Sequence, residues 1–288
     1  MTDARGLFPH NTTSPPTTTR VFQLFSLRGK TAVVSGASSG IGLAAAQAFA
    51  EAGANVVIWY KSRREMAEQA AREIEEEFGV KCRAYQVDVT SYEAVISALE
   101  EQLKEFNNRL DVFVANSGIP WTQGPMLDGE LSHYHDVIRT NLDGVFHCAR
   151  AAGLLFRQQK EQYPQTFDPP FTSGSFIATA SMSGHIVNVP QLQAAYNASK
   201  AAVVHLCKSL AVEWTGFARA NSISPGYINT TISKFCSQEM KEAWKDKIPM
   251  GREGEPHELK GAYLYLASDA SSYTTGADIV VDGGYCAP

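Results

Sequence analysis

The stretch TAVVSGASSGIG, residues 31–42, decides the fold of this chain, because an apolar strand, a glycine-rich turn and the start of a helix follow one another directly in it. Its first four residues, TAVV, are typical of a strand that is buried on both faces. The glycines permit a tight turn and let backbone N–H groups approach a pyrophosphate at the positive end of the helix. Such a loop alone can be no more than a turn, but its place between strand and helix favours a dinucleotide site. The residues that we expect around the phosphates are Gly36, Ser38, Ser39, Gly40, Ile41 and Gly42.

Beyond this stretch, short apolar runs alternate with longer helical patterns. The runs predict strands at 31–35, 55–59, 83–87, 111–115, 176–180, 220–223 and 278–281. The patterns between them predict helices at 41–52, 62–78, 91–106 and 196–214. Strands separated in this way by helices indicate βαβ units. We therefore expect an α/β fold with one Rossmann-type, doubly wound parallel sheet of about seven strands and helices on both faces.

Three segments stand apart from this alternation. Residues 1–25 are expected to be a flexible tail, since 11–19 are nearly all Thr, Ser and Pro; an organelle-targeting stretch is the alternative, which Asp3 and the lack of a basic amphipathic helix disfavour. Residues 157–174 are polar, contain three prolines and are expected to be a surface loop. The remainder, 26–288, is predicted to be a single dinucleotide-binding and catalytic domain, in which 227–250 covers the substrate.

Composition limits the classes of function. Twenty-five basic and thirty acidic residues give a net charge of −5, whereas a nucleic-acid-binding protein normally has a basic excess. No apolar run is long enough to span a bilayer, and no secretory signal is evident, so we expect a cytoplasmic protein. The five cysteines are scattered without a C-x-x-C pair and indicate reduced thiols. His133 and His135, two residues apart, do not share a helical face, so no metal site is expected.

The end of the second strand indicates which dinucleotide is bound. An NAD site places a carboxylate there to bind the ribose 2′-hydroxyl, but residues 58–64 contain no acidic side chain and carry three cations instead. The alternative is a helix that begins with solvated basic residues; cations at a helix N-terminus oppose the helix dipole, so a nearby anion would relieve an unfavourable arrangement. We therefore predict NADP(H), whose 2′-phosphate suits cations. The contacts expected at this end are Tyr60, Lys61, Ser62 and Arg63.

A second pattern indicates proton transfer. Tyr196 and Lys200 are four residues apart on one predicted helix, so both side chains can face one site. A free phenol has a pKa of about 10, and a nearby ammonium favours the phenolate. Upstream, Ser181 follows a predicted strand, and ligands of open parallel sheets bind beyond the carboxyl ends of the strands. Ser181 is therefore placed to hold a substrate carbonyl oxygen.

Taken together and in order, these motifs resemble the short-chain dehydrogenase/reductase superfamily. The resemblance rests on the phosphate loop, Asn116-Ser117-Gly118, Asn141, Ser181 and the Tyr196–Lys200 pair, and it extends from about Leu27 to the C-terminus. The stretches 221–228 and 261–285 are similar to the fungal NADP-dependent mannitol dehydrogenases and the sorbose and L-xylulose reductases.

The resemblance implies roles for individual residues. Tyr196 would be the general acid in reduction, Lys200 would lower the pKa of Tyr196 and bind the nicotinamide ribose, Ser181 would orient the carbonyl, and Asn141 would hold a water in a proton relay. Ser62 and Arg63 would meet the 2′-phosphate. The other cofactor contacts that it implies are Asp88, at the adenine, with Val89, Asn116, Gly118, Pro225, Gly226, Ile228 and Thr230. It also implies a homotetramer, although the residues themselves leave a dimer open.

Three functions remain open on the sequence. The first is an NADPH-dependent reductase that interconverts a ketose of the fructose, sorbose or xylulose type and its polyol; the second is the same chemistry on an aryl ketone, an acyl thioester or a secondary metabolite. The third, a non-catalytic NADP-binding protein, is disfavoured because Tyr196 and Lys200 are both present. The covering segment does not decide between the first two. Its polar residues Asn229, Thr230, Thr231 and Ser233 suit a polyol, whereas Ile232, Phe235, Trp244 and Ile248 suit either an apolar ketone or the packing face of a helix.

Overall fold

In the computed structural model, which describes residues 8, 13–162, 165–231 and 236–287, seven strands form one sheet. The strands are β1 Thr31–Val34, β2 Asn55–Tyr60, β3 Cys82–Gln86, β4 Val112–Ala115, β5 Gly174–Thr179, β6 Ala218–Pro225 and β7 Asp278–Val281. The helices are α1 Val21–Leu24, α2 Gly40–Glu51, α3 Arg64–Phe78, α4 Tyr92–Gln102, α5 Leu131–Ile138, α6 Gly144–Gln162, α7 Ala194–Glu213, α8 Gln238–Lys245 and α9 Lys260–Ala267. Among the helices described, none has the length and hydrophobicity that crossing a bilayer demands.

The order of the strands places a crevice at the centre of the sheet. All neighbouring strands are parallel, and they run in the order β3-β2-β1-β4-β5-β6-β7. The chain adds strands outward from β1 in one direction and then, from β4, in the other. Connections leave β1 and β4 toward opposite faces, which opens a crevice beyond their carboxyl ends. The predicted doubly wound α/β fold with seven strands is confirmed.

Helices cover both faces of the sheet, so every strand except the edge strand β7 contributes side chains to two cores. In β1, Val33 packs into a core with α4, α6 and α7, whereas Ala32 and Val34 pack into a core with α2, α3 and α9. The first core contains the largest aromatic cluster, in which Phe176 and Trp214 meet edge to face at 5.8 Å. All four residues of β1 are buried, which explains why its sequence is a continuous run without polar alternation.

The segment predicted as a surface loop at 157–174 is shorter than expected. Helix α6 continues to Gln162, and β5 already begins at Gly174. The reason is Gln159, which is buried although it is polar: its amide accepts from Leu110 N at 2.7 Å and donates to Leu110 O at 2.6 Å, so the helix gains partners at the start of β4. Residues 163–164 lie outside the described part of the chain.

The segment between α6 and β5 packs at the amino end of the sheet, away from the crevice. Arg109 forms a buried bidentate pair with Asp111, at 2.7 and 2.8 Å. The Arg109 guanidinium also donates to Pro169 O and lies 5.1 Å from the ring centroid of Phe167. Asp111 in turn accepts from the backbone N of Thr31, the first residue of β1, at 2.8 Å. The segment therefore braces the end of the sheet opposite to the site.

The region predicted as a tail contains the short helix α1 in its last residues. Residues 1–7 and 9–12 lie outside the described part of the chain, so the expectation of a flexible tail stays a prediction. The single domain predicted for 26–288 also stays a prediction.

Candidate active site

A cleft of about 390 Å³ opens at the carboxyl ends of the central strands. It is lined by residues from the ends of six strands, from Gly36 after β1 to Pro225 at the end of β6. Nearly all of the predicted site residues lie in its wall: Gly36, Ser38, Ser39, Gly40, Ile41, Tyr60, Lys61, Ser62, Arg63, Asp88, Val89, Asn116, Gly118, Ser181, Tyr196, Lys200, Pro225, Gly226, Ile228 and Thr230. Gly42 and Asn141 do not line the cleft, and each supports residues that do.

The glycine-rich loop is held by close packing against the residue that follows β4. Gly36 and Gly40 have φ angles of 64° and 61°, in the left-handed region that favours glycine. A Cβ atom on Gly42 would lie 2.5 Å from Asn116 Nδ2 and 2.7 Å from Gly36 O, so no larger residue fits there. Asn116 Nδ2 donates to the carbonyls of Ser35 and Gly36 at 3.1 and 3.2 Å. Gly42 thus permits the loop geometry without facing the cleft.

At one end of the cleft, Arg63 lies among hydroxyl groups. Its Nη1 donates to Ser39 Oγ at 2.9 Å and to Thr231 Oγ1 at 3.1 Å. Among the residues that the structure describes, no carboxylate pairs with Arg63, whereas the adjacent Arg64 pairs with Glu68 at 2.7 Å on the surface of α3. A guanidinium with uncompensated charge beside two hydroxyls fits a phosphate dianion.

Lys61, the other predicted cation of this end, has a carboxylate partner. Its ammonium lies 2.9 Å from Asp88 Oδ2, and Asp88 Oδ1 accepts from the backbone and hydroxyl of Thr90. Burial raises the pKa of Asp88, but the hydrogen bonds from Lys61 and Thr90 together lower it by more than burial raises it. The pKa of Asp88 therefore lies below its ordinary value. Asp88 is therefore charged at neutral pH and neutralises Lys61, which leaves Arg63 as the stronger candidate for an anion.

At the other end, α7 presents Tyr196 and Lys200. Lys200 is buried; its Nζ donates to Thr179 O at 2.7 Å and lies 5.6 Å from the centroid of the Tyr196 ring. Burial lowers the pKa of Lys200 to about 8. Burial also raises the pKa of Tyr196, and the neighbouring Ser181 hydroxyl offsets this only in part.

The resemblance implied that Lys200 lowers the pKa of Tyr196. In this structure, the protein groups around Tyr196 raise its pKa instead. Lys200 Nζ donates to the backbone carbonyl of Thr179, and the half-buried ring of Tyr196 packs against apolar side chains. Desolvation therefore outweighs charge, and the pKa of Tyr196 lies above its ordinary value.

Ser181 is positioned by a tight turn after β5. It caps the short 3₁₀ helix Met182–Gly184, and its Oγ accepts from the backbone N of Ser183 at 3.1 Å. A hydroxyl has one proton and two lone pairs. Because Ser183 occupies one lone pair, the proton of Ser181 is free to point toward Tyr196 or toward a substrate oxygen.

Asn141 is fully buried in a π-helical turn, Arg139–Asp143, between α5 and α6. Its Oδ1 accepts from Ile119 N at 2.8 Å, and its Nδ2 donates to Ile119 O at 3.0 Å. A Cβ atom on Gly118 would lie 3.2 Å from Asn141 Oδ1 and 3.6 Å from Lys200 Nζ, so Asn141 and Lys200 flank the same glycine. The amide thus fixes the chain after β4 beside Lys200, and a π turn of this kind often marks a functional site.

The structure adds cleft residues that the sequence analysis assigned neither to catalysis nor to cofactor binding. They are Val87, Ser117, Ile119, Thr140, Thr179, Ala180 and Thr231. Most adjoin a predicted residue in the chain, and that position is the signal by which they could have been found. Thr231, which follows the predicted Thr230, matters most, because its contact with Arg63 joins residues 168 positions apart.

The covering segment divides into a part that faces the cleft and a part that packs inward. Thr230 and Thr231 line the cleft, whereas Asn229 Nδ2 donates to Glu255 Oε1 at 3.1 Å. Trp244 and Ile248 are buried, which assigns these two to packing rather than to the substrate. The predicted residues Ile232, Ser233 and Phe235 lie outside the described part of the chain.

Comparisons with known proteins place these features among reductases. The profile of a family described as enoyl-(acyl carrier protein) reductase matches residues 36–286. An L-xylulose reductase of Hypocrea jecorina is 64% identical over 286 residues, which are 98% of this chain and 99% of that protein. A probable NADP-dependent mannitol dehydrogenase of Yarrowia lipolytica is 51% identical over 288 residues, 100% of this chain and 98% of that protein. Among solved structures, an NADPH-dependent 3-quinuclidinone reductase from Rhodotorula rubra has a TM-score of 0.89 and 43% identity, and the match covers 98% of this chain and 100% of that one.

Proposed function

The chain belongs to the short-chain dehydrogenase/reductase family, and from that premise we propose that it is an NADPH-dependent reductase that interconverts a ketose and its polyol. One observation carries the proposal: a single cleft has a guanidinium among hydroxyls at one end and a phenol, a serine hydroxyl and a buried amine at the other. The first end suits the extra phosphate of NADP(H), and the second suits proton transfer to a carbonyl oxygen.

In this mechanism, bound NADPH supplies the hydride that the carbonyl carbon receives. Tyr196 donates its phenolic proton to the carbonyl oxygen, and the hydroxyl of Ser181 donates a hydrogen bond to the same oxygen. Lys200 provides a positive charge at the cleft below its pKa of about 8 and would bind the nicotinamide ribose. Asn141 holds the backbone of Ile119 and, with Lys200, serves the proton relay to solvent.

The other predicted residues hold the cofactor. The glycine-rich loop and the N-terminus of α2 would hold the pyrophosphate, Asp88 and Val89 would hold the adenine, and Pro225 to Thr230 would hold the nicotinamide. We assign the 2′-phosphate to Arg63, Ser39, Ser62 and Thr231. NADP(H) is supported by two of the similar proteins, since one is named as NADP-dependent and the other as NADPH-dependent.

A sugar substrate is supported by similarity over the whole chain to an L-xylulose reductase and a mannitol dehydrogenase. A second candidate, the same reaction on a non-sugar ketone, is favoured by the similar quinuclidinone reductase. Initial rates with NADPH against L-xylulose, fructose, sorbose and acetophenone separate the two. We expect reduction of at least one ketose with a higher kcat/KM than for acetophenone; activity confined to the aryl ketone would reject the ketose assignment. Absence of turnover on every carbonyl compound would favour the non-catalytic alternative.

We further propose that the enzyme is a homotetramer. Exposed apolar side chains on separate parts of the surface support this, among them Phe146 and Val212 on α6 and α7, and Val280 on β7, an edge strand. A tetramer with two kinds of two-fold interface needs two such self-complementary patches. A cytoplasmic location is supported by the five cysteines, all of which are free thiols.

A further inference from the structure

A buried amide network lies behind the catalytic turn. Gln193 immediately precedes α7, three residues before Tyr196, and its Nε2 donates to Ser183 Oγ at 3.1 Å and to Asn188 Oδ1 at 2.8 Å. We propose that Gln193 is a positioning residue for the reaction: it holds the turn that orients the Ser181 hydroxyl and links that turn to the segment covering the substrate. The inference rests on the proposed function, because it concerns the same carbonyl-orienting serine.

The first link runs from Gln193 to Ser181 through a single residue. The hydroxyl of Ser183 accepts from Gln193, while the backbone N of Ser183 donates to Ser181 Oγ. Both Ser183 and Gln193 are buried, so water does not replace either bond at low cost. Because Gln193 restrains the side chain of Ser183, it also restrains the backbone N–H that directs the proton of Ser181 away from the turn.

The second link runs from Gln193 to the covering segment. Asn188, which is 1% exposed, donates from Nδ2 to the Tyr227 hydroxyl at 3.0 Å. The ring of Tyr227 stacks on Trp244 of α8, with centroids 3.9 Å apart and an interplanar angle of 10°. Burial raises the pKa of Tyr227, so this phenol stays neutral and keeps its bond to the amide. A movement of α8 therefore reaches Ser181 through Tyr227, Asn188 and Gln193.

The residue type at 193 follows from these contacts. The amide oxygen of Gln193 accepts from Gln191 Nε2 at 2.7 Å, so both ends of the side chain are in use. A carboxylate would lose the two donors and face two oxygens, and an apolar side chain would leave Ser183 and Asn188 without their donor. Only a neutral group that donates twice and accepts once satisfies all three neighbours.

The test compares Gln193→Met with Gln102→Leu. Gln102 is also a buried amide, but it accepts from Trp59 Nε1 at 2.7 Å, between α4 and β2, and it does not line the cleft. For each variant we would measure kcat and KM with the best carbonyl substrate of the wild type, the NADPH dissociation constant, the melting temperature and the pH profile of kcat.

We expect Gln193→Met to lower kcat by about 10- to 100-fold and to leave the NADPH dissociation constant within about twofold. Of the two ionisations on the alkaline side of the profile, the one of Lys200 should stay in place, and the higher one, of Tyr196, should move upward, because Ser181 no longer lowers the pKa of Tyr196. Gln102→Leu should lower only the melting temperature. A folded Gln193→Met enzyme with wild-type kcat and pH profile would overturn the inference.

If Gln193→Met does not fold, Ser183→Ala makes a smaller change, since it removes the hydroxyl that Gln193 holds and keeps the backbone N–H. It should lower kcat in the same direction, and an unchanged kcat would again overturn the inference. Failure of the proposed function is distinguishable: a wild-type protein without turnover on any carbonyl compound contradicts the function and with it the positioning role, whereas an active wild type with unaffected variants contradicts the positioning role alone.

Discussion

Burial acts in opposite directions on the two titratable groups of the catalytic end. It raises the pKa of the Tyr196 phenol and lowers that of the Lys200 ammonium to about 8, because the low-dielectric surroundings favour the neutral form of each. At neutral pH the phenol is therefore protonated, while Lys200 is still mostly charged. This combination suits a general acid that gives its proton to a developing alkoxide, which is the direction of ketone reduction.

Tyr196→Phe removes that proton and leaves the ring in place. We expect kcat for reduction to fall by about 10²- to 10⁴-fold, while NADPH binding, followed by fluorescence titration, stays within about threefold. The matched control is Tyr265→Phe, which removes a phenol bonded to Thr274 Oγ1 at 2.8 Å on α9, outside the cleft wall. Near-normal turnover by Tyr196→Phe would refute its role as the proton donor.

Arg63→Ala tests the preference for NADPH. Loss of a charge-assisted contact to a phosphate should weaken NADPH binding by about 10- to 100-fold, whereas NADH binding, which lacks that contact, should change little. Arg64→Ala serves as the control, since Arg64 pairs with Glu68 on the surface of α3. Equal losses for both dinucleotides in Arg63→Ala would mean that the 2′-phosphate lies elsewhere.

The helices and strands follow the predicted alternation closely, and they depart from it where long-range contacts act on their ends. Helix α6 extends into the segment predicted as a loop because Gln159 finds partners in the backbone of Leu110. The π turn at Arg139–Asp143 bends the chain where Asn141 must meet Ile119. Helix α2 begins in the glycine-rich loop, where the packing against Asn116 leaves no room for a side chain.

Two glycine substitutions on helices separate packing from helix propensity. In α2, Gly42→Ala places a methyl group against Asn116 and the Gly36 carbonyl, so we expect a lower melting temperature and weaker NADPH binding. In α9, a methyl group on Gly261 would have no neighbour within 4 Å among the described residues, and Gly261→Ala should be neutral or stabilise by up to about 1 kcal/mol. Thermal denaturation with and without NADPH checks both; an unperturbed Gly42→Ala protein would contradict the close packing.

Assembly of the sheet brings together groups that are far apart in the chain. Four different strands are each ended or followed by one residue of the cleft: Gly36, Asp88, Ser181 and Pro225. Because the strands are parallel, all four residues lie at the carboxyl ends of the strands. At the amino ends of the strands, the Arg109–Asp111 pair and the segment before β5 support the sheet. The Arg109–Asp111 pair thus lies at the end of the sheet opposite to the site.

Exposed apolar side chains on the surface allow a test of the proposed homotetramer. If the exposed apolar groups form two interfaces, the wild type should have a mass in solution of four times the 31.4 kDa chain. Phe146→Glu or Val280→Lys should each break one interface and leave dimers, while Met66→Glu on α3, also exposed, should not. Sedimentation velocity measures all four proteins; a wild type with the mass of a single chain would contradict the tetramer.

The amino-acid sequence by itself determined the class of fold, the phosphate loop and the Tyr196–Lys200 pair. Each of these features depends on the periodicity or the spacing of residues that are close together in the sequence. The side chains concerned lie on one helix, one strand or one turn, so local structure is enough to place them. The tertiary structure alone decided that Arg63 meets Thr231, that Trp244 and Ile248 pack inward, and that Gln193 joins Ser183 to Asn188. Such contacts join side chains from separate loops, and a hydrogen bond that is only a few ångströms long exists only once packing has set the distance between them.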